Sequence, residues 1–249
     1  MGAGSGKQLA KIASELAKRG NKVAILDADV TGPSIPKSFG VKAHLVADQD
    51  GICPALTESG IAVMSVNLML PQDDVPVAWR GPVVTGVLRQ FWSEVNWGEI
   101  DYMLIDMPPG TSDVFLTVFQ TLPVDGIVTV SAPQELVAMI VGKAVNLAHS
   151  LEVPVVGLVE NMAYFKCDEC GKKHYIFGEP QGEEVAKKYA IPAVATLPMD
   201  PVFAKLVDEG KVEDYAVEGA LDAIIEQVEK AAAKAEAEKT AEVADVDAE

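Results

Sequence analysis

Residues 1–8 read Met1-Gly2-Ala3-Gly4-Ser5-Gly6-Lys7-Gln8, and the chain behind them repeats apolar side chains at helical spacing. Small residues from Gly2 through Gly6 let backbone N–H groups approach and wrap phosphate oxygens. A helix opening directly behind such a loop adds a favourable dipole, and Lys7 can reach the β- and γ-phosphates. Leu9, Ile12, Ala13, Leu16 and Ala17 predict that helix over 6–19, with Gly20 in the C-terminal cap position. The stretch departs from the full G-x-x-x-x-G-K-[ST] pattern at both ends, with Met1 at the first glycine and Gln8 at the hydroxyl position. Read alone, these eight residues also fit a flexible Gly/Ser start ahead of a helix.

Outward from the loop, short β-branched runs alternate with longer helical periods. Buried strands are predicted at 22–26, 102–105, 126–130, 155–159 and 193–197, each leading into a loop and a helix as in βα units. The fold class is therefore α/β, a mostly parallel sheet with helices on both faces. Residues 52–56 and 61–66 flank Thr57-Glu58-Ser59-Gly60 and predict a hairpin appended to the sheet edge. Val84, Val87, Leu88, Phe91, Trp92 and Val95 mark a helix before the 102–105 strand. Residues 1–229 read as one domain. The remainder, 230–249, is an acidic, alanine-rich tail, either a helical extension or disordered, with no core pattern beyond about Val228.

At 249 residues and 49% hydrophobic content the chain is long enough for one sizeable core. Its formal net charge of -17 repels phosphate backbones and anionic lipid, which argues against nucleic acid and membrane surfaces as partners. No stretch reaches the roughly 20 apolar residues that span a bilayer. The opening residues lack the regions of a signal peptide, and three cysteines make no disulfide framework. The expected compartment is the cytoplasm.

Two strand ends carry acids. Leu26-Asp27-Ala28-Asp29 closes one apolar run and Ile105-Asp106-Met107-Pro108-Pro109-Gly110 another. Ligands of open parallel sheets bind at the carboxyl ends of strands, so Asp27, Asp29 and Asp106 are expected on one rim with Lys7. Such an aspartate can hold Mg²⁺ through water, and a second can orient an attacking water. Helix capping and turn formation are the plainer alternatives.

Cys167-Asp168-Glu169-Cys170 lies in a polar loop after Tyr164-Phe165, followed by Gly171. A C-x-x-C loop presents two thiolates to one centre, and two such loops supply four sulfur ligands for a [4Fe–4S] cluster or zinc. With one C-x-x-C per chain, a closed site requires two chains, hence a homodimer with the centre on its two-fold axis. A mononuclear zinc site that recruits His174, a redox pair and two unligated cysteines remain open on these residues alone. Cys53 reads as a small buried hydrophobe, and His44 and His149 as structural or surface residues.

The runs at 27–36 (DADVTGPSIP), 79–91 (WRGPVVTGVLRQF), 105–114 (IDMPPGTSDV), 131–137 (SAPQELV), 157–171 (GLVENMAYFKCDECG) and 197–201 (LPMDP) resemble the Mrp/ApbC-type iron–sulfur cluster carriers. These are deviant Walker-A P-loop ATPases related to MinD and nitrogenase iron protein. The resemblance spans nearly the whole chain except the tail. It implies a P-loop NTPase-like sheet, ATP with Mg²⁺, and a [4Fe–4S] cluster on Cys167 and Cys170 bridging a homodimer. Apo iron–sulfur proteins and cluster-assembly scaffolds are the implied partners. Within it Lys7 is the Walker lysine, Asp29 the switch I acid near Mg²⁺ and the attacking water, and Asp106 the Walker B acid. Asn161 reads the adenine edge, although as a residue it equally fits a turn or cap. Residues 29–34 and 108–113 are the candidate switches for γ-phosphate. A MinD/ParA-like positioning ATPase and a non-hydrolysing, zinc-binding scaffold are the alternatives.

Two departures from that family stand out. Its loop usually reads GKGGVGKS, so Gly2 replaces the signature lysine and Gln8 the Mg²⁺-binding hydroxyl, which predicts weakened or absent hydrolysis with nucleotide binding retained. The strand that feeds the loop is also missing from the sequence, which predicts unpaired strand edges and a slot in the apolar core. A misassigned start, a fragment and a degenerate copy all fit, and an intact-mass measurement separates them.

Overall fold

The structure, a computed structural model, describes residues 5–30, 32–42, 45–49, 51–70, 81–108, 113–133 and 135–246. The chain runs α1 (Ser5–Lys18), β1 (Val23–Asp27), α2 (Ile35–Ser38), β2 (Val46–Asp48), β3 (Gly51–Cys53), β4 (Ala55–Leu56), β5 (Ala62–Ser65), α3 (Gly81–Glu94), β6 (Tyr102–Asp106) and α4 (Asp113–Thr121). It continues through β7 (Ile127–Ser131), α5 (Glu135–Ser150), β8 (Val155–Glu160), β9 (Phe165–Lys166), β10 (Lys173–His174), α6 (Gly182–Tyr189), β11 (Val194–Thr196), α7 (Pro201–Asp208) and α8 (Asp222–Val246). Two compact units result, one from Met1–Leu122 with Met199–Glu218 and one from Pro123–Pro198 with Gly219–Glu249.

In the first unit the sheet order is β4-β5-β1-β6. β1 is parallel to both neighbours, and all five of its residues are buried, as an apolar strand covered on both faces requires. Its register sets Leu26 opposite Ile105 and Asp27 opposite Asp106. The helix α1 buries Ala10, Ile12, Ala13 and Leu16 on one face. It stops at Gly20 (φ +91°): the Gly20 N–H donates to Ala17 O at 2.9 Å and the Asn21 N–H to Leu16 O at 3.3 Å. Lys11 is buried on the same helix, its Nζ 3.7 Å from the Phe203 ring centroid and 4.7 Å from that of Tyr215. Burial pushes its pKa down to about 8 against the opposing pull of Asp200. Asp200 caps α7 by accepting from the N–H groups of Val202 (2.8 Å) and Phe203 (3.1 Å), and it also takes the Tyr215 hydroxyl at 2.5 Å. This cluster fixes the returning segment 199–218 onto the helix that carries Lys7.

The second unit is a parallel sheet of order β11-β8-β7. All six residues of β8 are buried. Val141, Val145 and Ala148 of α5 pack with Val155, Leu158, Ala186 and Ile191 in its core. On α8, Ile224 lies so close to Gly157 that a Cβ there would stand 2.7 Å from Ile224 Cδ1, which is why β8 carries glycine at this point. α8 continues through the alanine-rich segment to Val246, and Lys239 pairs with Asp125 at 3.9 Å.

Predicted and observed strand ends agree within a residue or two, but the hairpin is different. Gly51–Cys53 pairs antiparallel with β2, only Ala55–Leu56 pairs with β5, and β5 lies inside the sheet beside β1. Pro54, with no N–H to donate, splits the predicted first arm in two. The expectation for Cys53 is also corrected. Its side chain is half-buried and its thiol donates to Asp48 Oδ2 at 3.3 Å, because β3 belongs to a small surface ribbon and not to the core. His149 is exposed, and His44 lies outside the described residues.

Candidate functional site

The first candidate site gathers at the carboxyl ends of β1 and β6, where α1 begins. Asp27 (0% exposed) and Asp106 (4% exposed) end adjacent strands in matched register. Asp27 accepts from the Ser65 hydroxyl at 3.1 Å and from the Asp29 N–H at 3.2 Å. Asp106 accepts from the Ser5 hydroxyl at 3.2 Å. Gly6 follows, and a Cβ on it would stand 2.6 Å from Asp106 Oδ2 and 2.9 Å from Ser34 Oγ. Only glycine lets the helix start this close to the acids. Lys7 is half-buried on the next position and Gln8 is buried.

The electrostatics favour a cation. Burial, reinforced by the neighbouring Asp106 charge, raises the Asp27 pKa to about 8. Burial raises Asp106 to about 6, with the Ser5 hydroxyl bond working against it and the Asp29 charge adding to it. Asp29 sits in the loop beyond β1 and accepts from the Gly32 N–H at 3.2 Å. Asp27 and Asp106, two buried carboxylates with raised proton affinity, can exchange a proton for a cation held through water. Gly2, Ala3, Gly4, Thr31 and residues 109–112 lie outside the described residues. Asn161 belongs to the second unit, where it is buried just beyond β8 with its N–H donated to Ser131 O at 2.7 Å.

The second candidate site is a hairpin. β9 and β10 pair antiparallel, Lys166 opposite Lys173 and Phe165 opposite His174, so Cys167 and Cys170 occupy its tip. The turn closes through Cys167 N–H to Lys172 O (3.0 Å) and Gly171 N–H to Cys167 O (2.8 Å), with Gly171 at φ +69°. The N–H groups of Cys170 and Glu169, then the Cys170 thiol, hydrogen-bond the Cys167 sulfur and hold its pKa below the usual thiol range. Both thiols are free, Cys167 half-buried and Cys170 exposed. Tyr164 supports the hairpin, with Lys173 Nζ 4.2 Å from its ring centroid and Tyr175 edge-on at 6.4 Å. Among the described residues no group of three or more His, Cys, Asp or Glu is placed to hold a metal ion, so His174 does not complete such a site with the two cysteines.

Sequence reasoning gave Asp27 no role of its own and passed over Glu160. Both are acids closing an apolar strand, and that signal marks them as clearly as it marks Asp106. Glu160 is 2% exposed and accepts from the N–H groups of Gln181 and Gly182.

Known proteins are similar to this chain over most of its length. An iron–sulfur cluster carrier protein of Clostridium perfringens is 48% identical over 222 residues, covering 86% of this chain and 78% of that protein. One from Saccharolobus solfataricus is 41% identical over 212 residues, covering 84% and 72%. The solved structure of a nucleotide-binding protein from Archaeoglobus fulgidus, in complex with ADP and with Co found by PIXE, is 43% identical. It superposes with a TM-score of 0.77, covering 87% of this chain and 86% of that one. The cell division ATPase MinD of Pyrococcus furiosus, 19% identical, shares the fold with a TM-score of 0.65 over 91% and 93% of the two chains. Residues 2–234 match the family described as NUBPL iron-transfer P-loop NTPase, and to that family the chain belongs.

Proposed function

We propose that the chain is a nucleotide-binding iron–sulfur cluster carrier that holds a [4Fe–4S] cluster between two copies of itself and passes it to apo-proteins. The observation that carries this reading is the hairpin tip, where two free thiols share one turn and backbone N–H groups stabilise the Cys167 thiolate. A thiolate is the form that ligates iron. Two sulfurs per chain leave a four-sulfur site half-built, and a second copy supplies Cys167 and Cys170 again. The names of the relatives support the same cargo. Recipients are apo iron–sulfur proteins and donors are assembly scaffolds, met in the cytoplasm. The charge of -17 disfavours nucleic acid and anionic membranes. Among the described residues no helix is long and apolar enough to cross a membrane.

In this reading ATP and Mg²⁺ bind at the first site and supply the charge whose removal on hydrolysis changes state. The small residues of the run 2–6 would let backbone N–H groups approach the phosphates, and Lys7 would neutralise them. Asp106 and Gln8 would hold the cation directly or through water, and Asp29 would orient the attacking water.

Anaerobic reconstitution with iron and sulfide tests the carrier reading. About two irons and two sulfides per chain are expected for a cluster shared between two chains, with one bound zinc or no metal as the opposing results. Hydrolysis is tested separately. Steady-state turnover is expected to be low in the wild type and to rise about tenfold or more in the Gly2→Lys plus Gln8→Ser double variant, a barrier change of about 1.4 kcal/mol. Robust wild-type turnover refutes the impaired-hydrolysis proposal and leaves the cargo assignment untouched.

A further inference from the structure

β8 leaves its sheet at Glu160, the chain makes the excursion that carries Cys167 and Cys170, and it returns at Gln181 to start α6. Glu160 is fixed at the departure point from both sides. It stands opposite Ser131 of β7 and Thr196 of β11, and its carbonyl accepts from the Leu197 N–H at 2.8 Å. Its side chain then crosses to the point of return. One carboxylate oxygen accepts from the Gln181 N–H at 2.8 Å, the other from the Gly182 N–H at 3.1 Å.

Those two N–H groups belong to the start of α6, where Gln181 makes no side-chain capping bond. A carboxylate 21 residues upstream thus does the work of a cap, with the helix dipole in its favour. Gly182 makes this possible, since a Cβ there would lie 2.9 Å from Glu160 Oε2 and 3.1 Å from Val194 Cγ1. The outgoing limb of the excursion is tied separately, through Asn161 N–H to Ser131 O and Ala163 N–H to Leu197 O. The returning limb, Tyr175-Ile176-Phe177 onward, is exposed as far as Glu179 and is tied at Gln181 and Gly182 through Glu160.

We propose that Glu160 is a positioning residue for the cysteine hairpin: its buried carboxylate closes the base of the 161–181 excursion and so holds the sulfur ligands at a fixed place relative to the sheet. The inference rests on the carrier reading for its cargo but not for its geometry. Glu160→Gln keeps the size and loses one acceptor, placing an NH₂ against an N–H. Gly182→Ala leaves Glu160 in place and pushes its carboxylate away.

The test uses full-length wild type and both variants. In the cluster-free proteins, amide hydrogen exchange is expected to accelerate across 161–181 while α5 and β8 keep their protection. In the reconstituted proteins, iron per chain is expected to be unchanged, but loss of iron to a chelator should run about fivefold faster, as when one charge-assisted hydrogen bond is removed. Exchange and iron loss equal to wild type in both variants overturn the proposal. So does an equal loss of protection throughout the unit, which makes Glu160 an ordinary core residue. If the wild type takes up no iron or sulfide, the carrier reading fails, and the exchange comparison alone decides whether Glu160 holds the hairpin.

Discussion

Replacing Cys167 with alanine is expected to abolish the visible charge-transfer absorbance of the anaerobically reconstituted protein and to leave the chain monomeric where the wild type dimerises. A shared site loses two of its four sulfurs at once when both copies carry the substitution, and water or a carboxylate is a poor substitute for thiolate at iron. Cys167 is also the sulfur toward which the turn directs the N–H groups of Glu169 and Cys170, so its removal takes away an anion that those groups stabilise. Cys53→Ala is the matched control. That thiol lies in the other unit and donates to Asp48, so its loss is expected to leave absorbance and dimerisation unchanged. Full absorbance and an unaltered iron count in Cys167→Ala refute the assignment of the ligands.

Asp27→Asn is expected to stabilise the nucleotide-free protein at alkaline pH and to have little effect in acid. The folded-state pKa of Asp27 stands at about 8 against 3.8 for an ordinary aspartate, so between those values the native chain keeps a proton that the unfolded chain has released. Stability from this group is therefore complete below about pH 4 and drains away as pH rises toward 8. Four pH units correspond to a ceiling of about 5–6 kcal/mol. An amide that must find its own partners recovers part of it, about 2–3 kcal/mol at pH 8. Urea denaturation at pH 4.5 and pH 8, without Mg²⁺ or nucleotide, checks the sign. A wild type no less stable at pH 8, with a variant that gains nothing there, contradicts it.

The alternation of elements was legible because it is local. Apolar runs such as Val23–Asp27 and Val155–Glu160 announce buried parallel strands, and Gly20 announces a helix end. Neighbourhood was less so. Residues 52–56 look like one strand until Pro54 is asked for a donor, and nothing within 61–66 states that Ala62–Ser65 pairs with Val23–Asp27. Among the site residues, Asp27 and Asp29 are equivalent in the sequence. They differ because Asp27 is the last residue in the ladder, locked opposite Asp106, whereas Asp29 has already entered the loop. Glu160 escaped because its partners lie 21 and 22 residues away, at a helix start whose missing cap becomes meaningful only when the two ends meet.

The hairpin that carries the cysteines contributes little to the core: Phe165 and Cys167 are half-buried, and the residues from Asp168 through Glu179 are exposed. The work of opening it is consequently a small fraction of the work of unfolding the unit. In the proposed carrier, the residence time of the cargo on the two sulfurs and the melting temperature of the protein would then be independent quantities. A carrier built this way can be made more or less retentive by altering a few bonds at the root of one loop, with no change in how firmly the rest of the chain stands.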